Sequence, residues 1–204
     1  LATIHATERG RGRGHLGGEI SQLINGTEWW LMYEAWRVIT CSQFMSDEVT
    51  RYFDLPLDKI DVVPNGVDAT PFDQLDGVDL AEFRARWALP HERIVFNVGR
   101  VVQEKGAHLI VEAAPRVLSQ MPNTKFIIAG TGGMVDQLKR RACELGVADK
   151  VLVAGFISDP DRNRLLKVAN AAVFPSLYEP FGIVALEAMA AKCPVIVSEV
   201  GGFK

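Results

Sequence analysis

Two glutamates, Glu179 and Glu187, lie eight residues apart in the sequence, with residues 180–182 between them. The apolar run 171–174 predicts a buried strand before them, and the residues after 182 predict a helix. In parallel sheets, ligands bind where strands end and helices begin, because the free N–H groups of a helix N-terminus favour an anion. The sequence therefore predicts an anion-binding loop between this strand and this helix.

Three further residues, Phe181, Gly182 and Ile183, lie where the predicted loop enters the helix. Gly182 has no Cβ, so a diphosphate can approach its backbone closely. Glu187 then projects one or two turns further along the helix, where its carboxylate is placed to bind sugar hydroxyl groups.

A second loop carries the opposite charge. Arg100 and Lys105 lie between Gly99 and Gly106, directly after a strand predicted at 94–98. Arg binds two phosphate oxygens through its planar fork and Lys adds a mobile charge, so both lower the cost of negative charge on a leaving group. An isolated Arg or Lys in a loop is more often simply solvated. Because Arg100 and Lys105 lie at a strand end, the alternative interpretation is that they bind a diphosphate.

Two other nucleotide-binding patterns do not fit. Residues 99–106 have neither the Gly-x-Gly-x-x-Gly spacing of dinucleotide-binding proteins nor the glycine spacing of a P-loop. Residues 130–133 come closer to the first pattern. However, Val135 occupies the place of the last glycine, and this loop follows the second strand of its domain instead of the first. A dehydrogenase is therefore not indicated.

No metal-binding pattern stands out. The four histidines are scattered, at positions 5, 15, 91 and 108. Asp159 and Asp161 form an Asp-x-Asp string, but they precede a predicted helix, where one of them is expected to serve as the N-cap. We predict chemistry without a metal ion or another cofactor.

The composition is that of an ordinary folded protein. The 204 residues are 48% hydrophobic and 23% charged, which suits one large or two small domains. The net charge of −3 argues against nucleic acid as a partner, although residues 9–13 hold three arginines.

No apolar run approaches the roughly 20 residues of a membrane span, and no signal segment opens the chain. Three widely spaced cysteines favour reduced thiols and a cytoplasmic location, and the oligomeric state stays open.

Strands and helices alternate regularly in the second part of the chain. Strands are predicted at 94–98, 125–129, 151–153, 171–174 and 195–197, and helices near 106–119, 134–145, 161–169 and 182–191. This alternation predicts a doubly wound parallel sheet. Pro115 lies inside the first of these helices, so we expect a kink or a break there.

The first part of the chain contains fewer regular elements. Strands are predicted at 37–41 and 60–63, and helices at about 19–35, after Ser42 and at about 80–87. Ser42 is expected to cap its helix. Trp29, Trp30 and Trp36 are expected in the core.

Two irregular segments and a domain boundary complete the prediction. Residues 6–18, rich in glycine and arginine, predict a flexible loop, and residues 70–78 predict an irregular connector. The turn signal around Asn65 marks the boundary between two domains. Residues 2–5 predict the end of a strand whose preceding units are absent, and residues 201–204 stop where a helix would follow. We therefore expect a fragment of a longer protein.

Four segments, in this order, resemble the retaining GT-B glycosyltransferases of the group-one and glycogen-synthase-like type. They are His5-Ala6-Thr7-Glu8, Pro64-Asn65-Gly66-Val67-Asp68, the loop 99–106, and the Glu-x7-Glu signature from Glu179 to Glu187. The resemblance implies an α/β fold of the GT-B type, with two Rossmann-like domains that contain parallel sheets. Residues 1–66 correspond to the C-terminal part of an incomplete acceptor-side domain, and residues 67–204 to a nucleotide-sugar donor-binding domain without its final helices.

The same resemblance implies transfer of a hexosyl unit from a UDP- or ADP-sugar to an acceptor hydroxyl with retention of configuration. A glucosyl unit is the favoured case, and an α-glucan is a candidate acceptor. Arg100 and Lys105 would stabilise the departing diphosphate, and Glu187 would bind the ribose hydroxyls of the nucleotide. Glu179 and His5 would contact the transferred sugar. The remaining residues expected at the donor site are Gly99, Gly130, Phe156, Ile157, Phe181, Gly182 and Ile183.

Other functions remain open from the sequence. A GT-B sugar-nucleotide epimerase would act on a UDP-sugar without an acceptor. A phosphorylase would need a pyridoxal-phosphate lysine beyond Lys204. A donor-binding fragment would bind UDP without turnover.

Overall fold

The computed structural model describes all 204 residues. The chain divides into two compact units. Unit 1 consists of Leu1–Gly66, Tyr178–Gly182 and Glu199–Lys204, and unit 2 consists of Val67–Leu177 and Ile183–Ser198. The chain first passes into unit 2 after Gly66, next to the boundary predicted from the turn signal. The acceptor and donor roles of the two parts stay predictions.

Unit 1 contains a three-stranded parallel sheet. Its elements are β1 (Ala2–Ile4), α1 (Glu8–Arg11), α2 (Glu19–Glu34), β2 (Val38–Thr40), α3 (Gln43–Phe53) and β3 (Ile60–Val62), with 3-10 turns at Leu57–Lys59 and Gly201–Phe203. The strands pair in the order β1-β2-β3, with Val38 opposite both Ala2 and Ile60. Ser42 caps α3 as predicted, because its hydroxyl accepts a hydrogen bond from the N–H of Met45 at 3.1 Å.

Two expectations for unit 1 are wrong. Residues 6–18 are not a loop throughout, since the Thr7 hydroxyl caps the single turn of α1. Trp29, Trp30 and Trp36 do not lie in the core, since they are 41%, 56% and 88% exposed. Of the side chains on α2, Met32 is the buried one, because three strands of three residues offer this helix little surface to cover.

Unit 2 contains a five-stranded parallel sheet in the order β6-β5-β4-β7-β8. Its strands are β4 (Arg93–Val98), β5 (Thr124–Ala129), β6 (Val151–Gly155), β7 (Ala171–Phe174) and β8 (Val195–Val197). Its helices are α4 (Thr70–Asp73), α5 (Ala81–Ala85), α6 (Ala107–Gln120), α7 (Val135–Glu144), α8 (Asp159–Val168) and α9 (Ile183–Ala190), with a 3-10 turn at Gln103–Lys105. Helices connect the strands, so the predicted doubly wound sheet is confirmed.

Three local predictions for unit 2 need correction. The connector 70–78 begins with the short helix α4, which tolerates Pro71 because a first-turn proline lacks only an N–H that has no partner in the helix. The helix α6 is not broken at Pro115 but continues to Gln120. Ser158, and neither Asp159 nor Asp161, is the N-cap of α8, since its hydroxyl accepts from the N–H of Asp161.

None of the helices combines the length and the hydropathy that crossing a bilayer requires.

Candidate functional site

The carboxyl ends of β4, β5 and β6 are held together by backbone hydrogen bonds. The N–H of Gly99 donates to the carbonyl of Ala129 at 3.1 Å, and the N–H of Gly130 donates to the carbonyl of Gly155 at 2.7 Å. Two residues after Gly99, the N–H of Val101 donates to the carbonyl of Thr131 at 2.8 Å. The three strand-end loops therefore form one connected edge whose shape depends little on side chains.

Gly130 lets two of these loops approach each other. It has φ +135°, and a Cβ there would lie 1.8 Å from the carbonyl oxygen of Gly99. Any other residue would push the loop after β5 away from the loop after β4. A Cβ on Gly99, by contrast, would meet no atom within 4 Å. The Gly99 backbone therefore faces open space that a ligand can enter.

These loops surround a cavity of about 220 Å³ in unit 2. Its lining residues are Val98, Gly99, Arg100, Gly130, Thr131, Phe156, Ile157, Asp159 and Arg162. The structure thus brings together five residues that the sequence placed at one site, namely Gly99, Arg100, Gly130, Phe156 and Ile157. Phe156 is 79% exposed and offers an aromatic face beside the cavity.

The cationic loop after β4 is held by local contacts. Arg100 is exposed and forms an ion pair with Glu104, with its Nη2 3.1 Å from Oε1. Lys105 ends the 3-10 turn Gln103–Lys105. The carbonyl of Glu104 accepts from the N–H of Leu177 at 2.8 Å, which ties this loop to the loop after β7. An exposed pair such as Arg100–Glu104 contributes at most about 1 kcal/mol, so Arg100 can exchange its partner for a phosphate at little cost.

Glu187 is linked to the cavity through Arg162. It lies in α9 with its side chain 16% exposed, and its Oε1 is 3.5 Å from Nη2 of Arg162. Burial raises the pKa of the Glu187 carboxyl, the charge of Arg162 lowers it, and the nearby charge of Asp159 raises it. Arg162 therefore favours the ionised carboxylate, the form that accepts hydrogen bonds from hydroxyl groups.

Arg162 was not identified from the sequence. It follows the loop that carries Phe156 and Ile157, and it also contacts Asp159, with Nη1 3.1 Å from Oδ1. A basic residue in the second turn of a helix behind a strand-end loop is a weak signal. Its contact with Glu187 is long-range, so the spacing of the sequence gives no indication of it.

Four predicted site residues, His5, Glu179, Phe181 and Gly182, belong to unit 1. His5 directly follows β1 and is exposed. Glu179 is 5% exposed, and its carbonyl accepts from the N–H of Gly202 at 2.7 Å. The side chain of Phe181 packs against the core of unit 1.

The reason given for Gly182 from the sequence needs correction. Gly182 has φ +92°, and a Cβ there would lie 2.1 Å from a ring carbon of Phe203. The space that the absent side chain leaves is therefore filled by an aromatic ring of the same unit. Ile183, the next residue, begins α9 in unit 2 and is 41% exposed.

The structure holds no cluster of three or more His, Cys, Asp and Glu side chains placed to bind a metal ion. Cys41, Cys143 and Cys193 are free thiols. The charged side chains that line the cavity are those of Arg100, Asp159 and Arg162.

Two family models match the sequence. The model described as glycosyl transferases group 1 matches residues 80–204, and the model described as glycosyltransferase family 4 matches residues 1–70. The uncharacterized glycosyltransferase MJ1607 of Methanocaldococcus jannaschii is 41% identical over 204 residues, which are 99% of this chain and 52% of that protein. The glycogen synthase of Mycobacterium tuberculosis is 39% identical over 202 residues, covering 99% of this chain and 47% of the synthase. The chain spans about half the length of these curated relatives.

Solved structures give the same fold. Anabaena Alr3699/HepE, crystallised with UDP-glucose, matches with a TM-score of 0.83 and 22% identity, over 98% of this chain and 54% of that chain. Sucrose-phosphate synthase from Thermosynechococcus elongatus matches with a TM-score of 0.78 and 27% identity, over 99% of this chain and 50% of that chain. The predicted α/β fold of the GT-B type is confirmed.

Proposed function

The chain belongs to the group 1 glycosyltransferases, and we propose that the complete protein transfers a glucosyl unit from UDP- or ADP-glucose to an acceptor hydroxyl with retention of configuration. The observation that carries this proposal is the cavity of unit 2, which Arg100 and Arg162 line and to which Arg162 links Glu187. Cationic side chains and an open backbone can bind the phosphates of a nucleoside diphosphate, and a carboxylate can bind its ribose hydroxyls.

The nucleotide occupies this cavity in our proposal. Arg100 and Lys105 bind the diphosphate, and the open backbone at Gly99 lets a phosphate oxygen come close. Glu187 accepts hydrogen bonds from the ribose hydroxyls. Burial raises the pKa of Glu187, and the charge of Arg162 opposes this effect and favours the carboxylate form. Phe156 and Ile157 lie on the loop after β6 and contact the base.

Transfer breaks the bond between the anomeric carbon and the diphosphate oxygen, and the nucleoside diphosphate leaves with the electron pair. The acceptor hydroxyl oxygen forms the new bond to the same carbon, and its proton passes to the departing nucleoside diphosphate. Arg100 and Lys105 stabilise the negative charge that develops on the leaving group, which replaces a metal ion in this role. Glu179 and His5 contact the transferred sugar.

Two of the similar proteins guide the choice of substrates. The 39% identity to a glycogen synthase makes an α-glucan the first acceptor to test. The Anabaena protein was crystallised with UDP-glucose, which makes UDP-glucose the first donor. The free thiols are in keeping with action in the cytoplasm.

The complete reading frame that contains these 204 residues should be expressed and incubated with labelled UDP-glucose, ADP-glucose or GDP-mannose. Glycogen and small saccharides serve as acceptors, and the anomeric configuration of the product is read by NMR. We expect label in glycogen from UDP- or ADP-glucose, with an α-linked product. No transfer from any donor contradicts the proposal, and retained UDP binding in that case would indicate a binding protein.

A further inference from the structure

A buried hydrogen-bond cluster in unit 1 is not part of the nucleotide site. Its members, Thr7, Glu48 and Tyr178, are 0%, 2% and 7% exposed. The Thr7 hydroxyl donates to Oε1 of Glu48 at 2.6 Å, and the Tyr178 hydroxyl donates to the same oxygen at 2.8 Å. Glu48 therefore joins two residues that are 171 positions apart in the sequence.

Stability alone does not account for a carboxylate at this place. Burial raises the pKa of Glu48, while the hydrogen bonds from Thr7 and Tyr178 lower it. Because burial of a charge is costly, replacement of a whole buried charged cluster by apolar side chains of similar volume is often neutral or stabilising. A buried titratable group with specific partners is therefore a candidate for a functional role.

Thr7 connects the cluster to the turn that follows His5. Its Oγ1 accepts a hydrogen bond from the N–H of Gly10 at 2.9 Å and so caps α1. A Cβ on Gly10 would lie 2.3 Å from Oε1 of Glu48 and 2.3 Å from the Tyr178 hydroxyl. This turn closes directly over the cluster, so its position depends on that of Glu48.

Tyr178 connects the cluster to its neighbour in sequence, Glu179. On the other side of Glu179, the carbonyl of Pro180 accepts from the Ser42 hydroxyl at 2.5 Å. Ser42 is the N-cap of α3, the helix that also carries Glu48. Ser42 at the N-cap of α3 therefore holds Pro180, and Glu48 within α3 holds Tyr178. These are the residues on either side of Glu179.

We propose that Glu48 is a positioning residue for glycosyl transfer, which holds Tyr178 and Thr7 so that Glu179 and His5 keep their places. Glu48 acts through these neighbours and contacts no substrate. The inference rests on the proposed function, which assigns Glu179 and His5 to the transferred sugar. It predicts a loss in the rate of transfer without a matching loss in donor affinity, because the donor cavity is formed by loops of unit 2.

The experiment compares Glu48→Leu and Tyr178→Phe with the wild type in the complete protein. We expect kcat per UDP-binding site to fall about 10-fold or more in Glu48→Leu, because small misplacements of reacting groups are costly. The KM for the donor should stay within about 2-fold of the wild type. Glu48→Gln keeps the accepting oxygen and should retain most of the wild-type kcat. Ser46→Ala, a buried change on the same helix, is the matched control and should behave as the wild type.

Wild-type kcat per binding site in both Glu48→Leu and Tyr178→Phe overturns the role of Glu48. Absence of transfer in the wild-type protein overturns the proposed function instead. Hydrogen exchange tests separately whether Glu48 holds residues 6–11 and residues 178–182 in place. The backbone amides of residues 6–11 and 178–182 should exchange faster in Glu48→Leu, and unchanged exchange in both segments contradicts a positioning role.

Discussion

Glu187 and Glu179 are only eight residues apart, yet the structure holds them in different ways. Glu187 lies in a helix of unit 2, where its charge is matched by Arg162 beside an open cavity. Glu179 lies in a short segment of unit 1, which Tyr178 and Pro180 anchor through hydrogen bonds to Glu48 and Ser42 respectively. In the proposed function the first arrangement recognises a ligand by charge, whereas the second fixes a backbone position. Changes around the two glutamates should therefore have different kinetic effects.

The cationic loop of unit 2 should show the largest effect. Lys105→Ala is expected to lower kcat/KM for the donor by about 100- to 1000-fold, because the leaving group loses one of the cations that stabilise it. The measurement is steady-state transfer from labelled UDP-glucose. Lys139→Ala, which removes an exposed lysine from α7, is the matched control. A loss of kcat/KM below about 3-fold in Lys105→Ala would show that this lysine does not bind the diphosphate.

Removal of the Glu187 charge should weaken nucleotide binding directly. Glu187→Gln is expected to lower the affinity for UDP by about 10-fold or more, since hydrogen bonds to a charged group contribute about 1.5–3 kcal/mol. Calorimetric titration with UDP measures this affinity. Glu144→Gln, at the exposed end of α7, is the control for loss of one negative charge. Unchanged UDP affinity in Glu187→Gln would place the ribose elsewhere.

Arg162 should control the pH range over which Glu187 binds ribose. The charge of Arg162 lowers the pKa of Glu187, so Arg162→Leu raises that pKa further. As the pH falls, the Glu187 carboxylate is then protonated earlier, and UDP affinity should decline at a higher pH than in the wild type. Titrations with UDP across a series of pH values test this. Parallel pH profiles for the two proteins would show that Arg162 does not act through Glu187.

The change of Glu48 to glutamine should have the smallest effect, which is on stability and not on the rate of transfer. Its pKa is raised in the folded protein, so between the unfolded and the folded pKa the native state binds more protons. The free energy of unfolding therefore falls as the pH rises through that range. Glu48→Gln removes this contribution, and its unfolding free energy should depend less on pH. Denaturant unfolding at several pH values measures the difference, and equal slopes would contradict a raised pKa.

The sheet of unit 2 is well predicted from the sequence, because the apolar runs of β4, β5, β6 and β7 each end near a glycine or proline and are followed by a helical pattern. The resemblance to the glycosyltransferases placed Gly99, Gly130, Phe156 and Ile157 at one site. They line one cavity in the structure because strand-end loops of a parallel sheet share an edge. Short elements such as Thr70–Asp73 were missed because one turn gives no periodicity. The exposure of the tryptophans in and beside α2 depends on how much sheet surface the unit offers, which no local pattern shows.

The contacts that orient the two glutamates were not predictable. Arg162 reaches Glu187 across 25 positions, and Tyr178 reaches Glu48 across 130 positions. Each is a long-range contact between side chains that are unremarkable in their own segments. The role of Gly182 was misjudged for the same reason, because the ring of Phe203 that fills its space comes from a distant turn.

Glu187 should determine donor affinity, whereas Glu179 should determine the rate of transfer. UDP affinity and kcat should be measured in the same preparations of Glu187→Gln and Glu179→Gln in the complete protein. We predict weaker UDP binding in Glu187→Gln, and near wild-type UDP binding with a strongly reduced kcat in Glu179→Gln. Loss of UDP binding in Glu179→Gln, with unchanged binding in Glu187→Gln, would contradict the account.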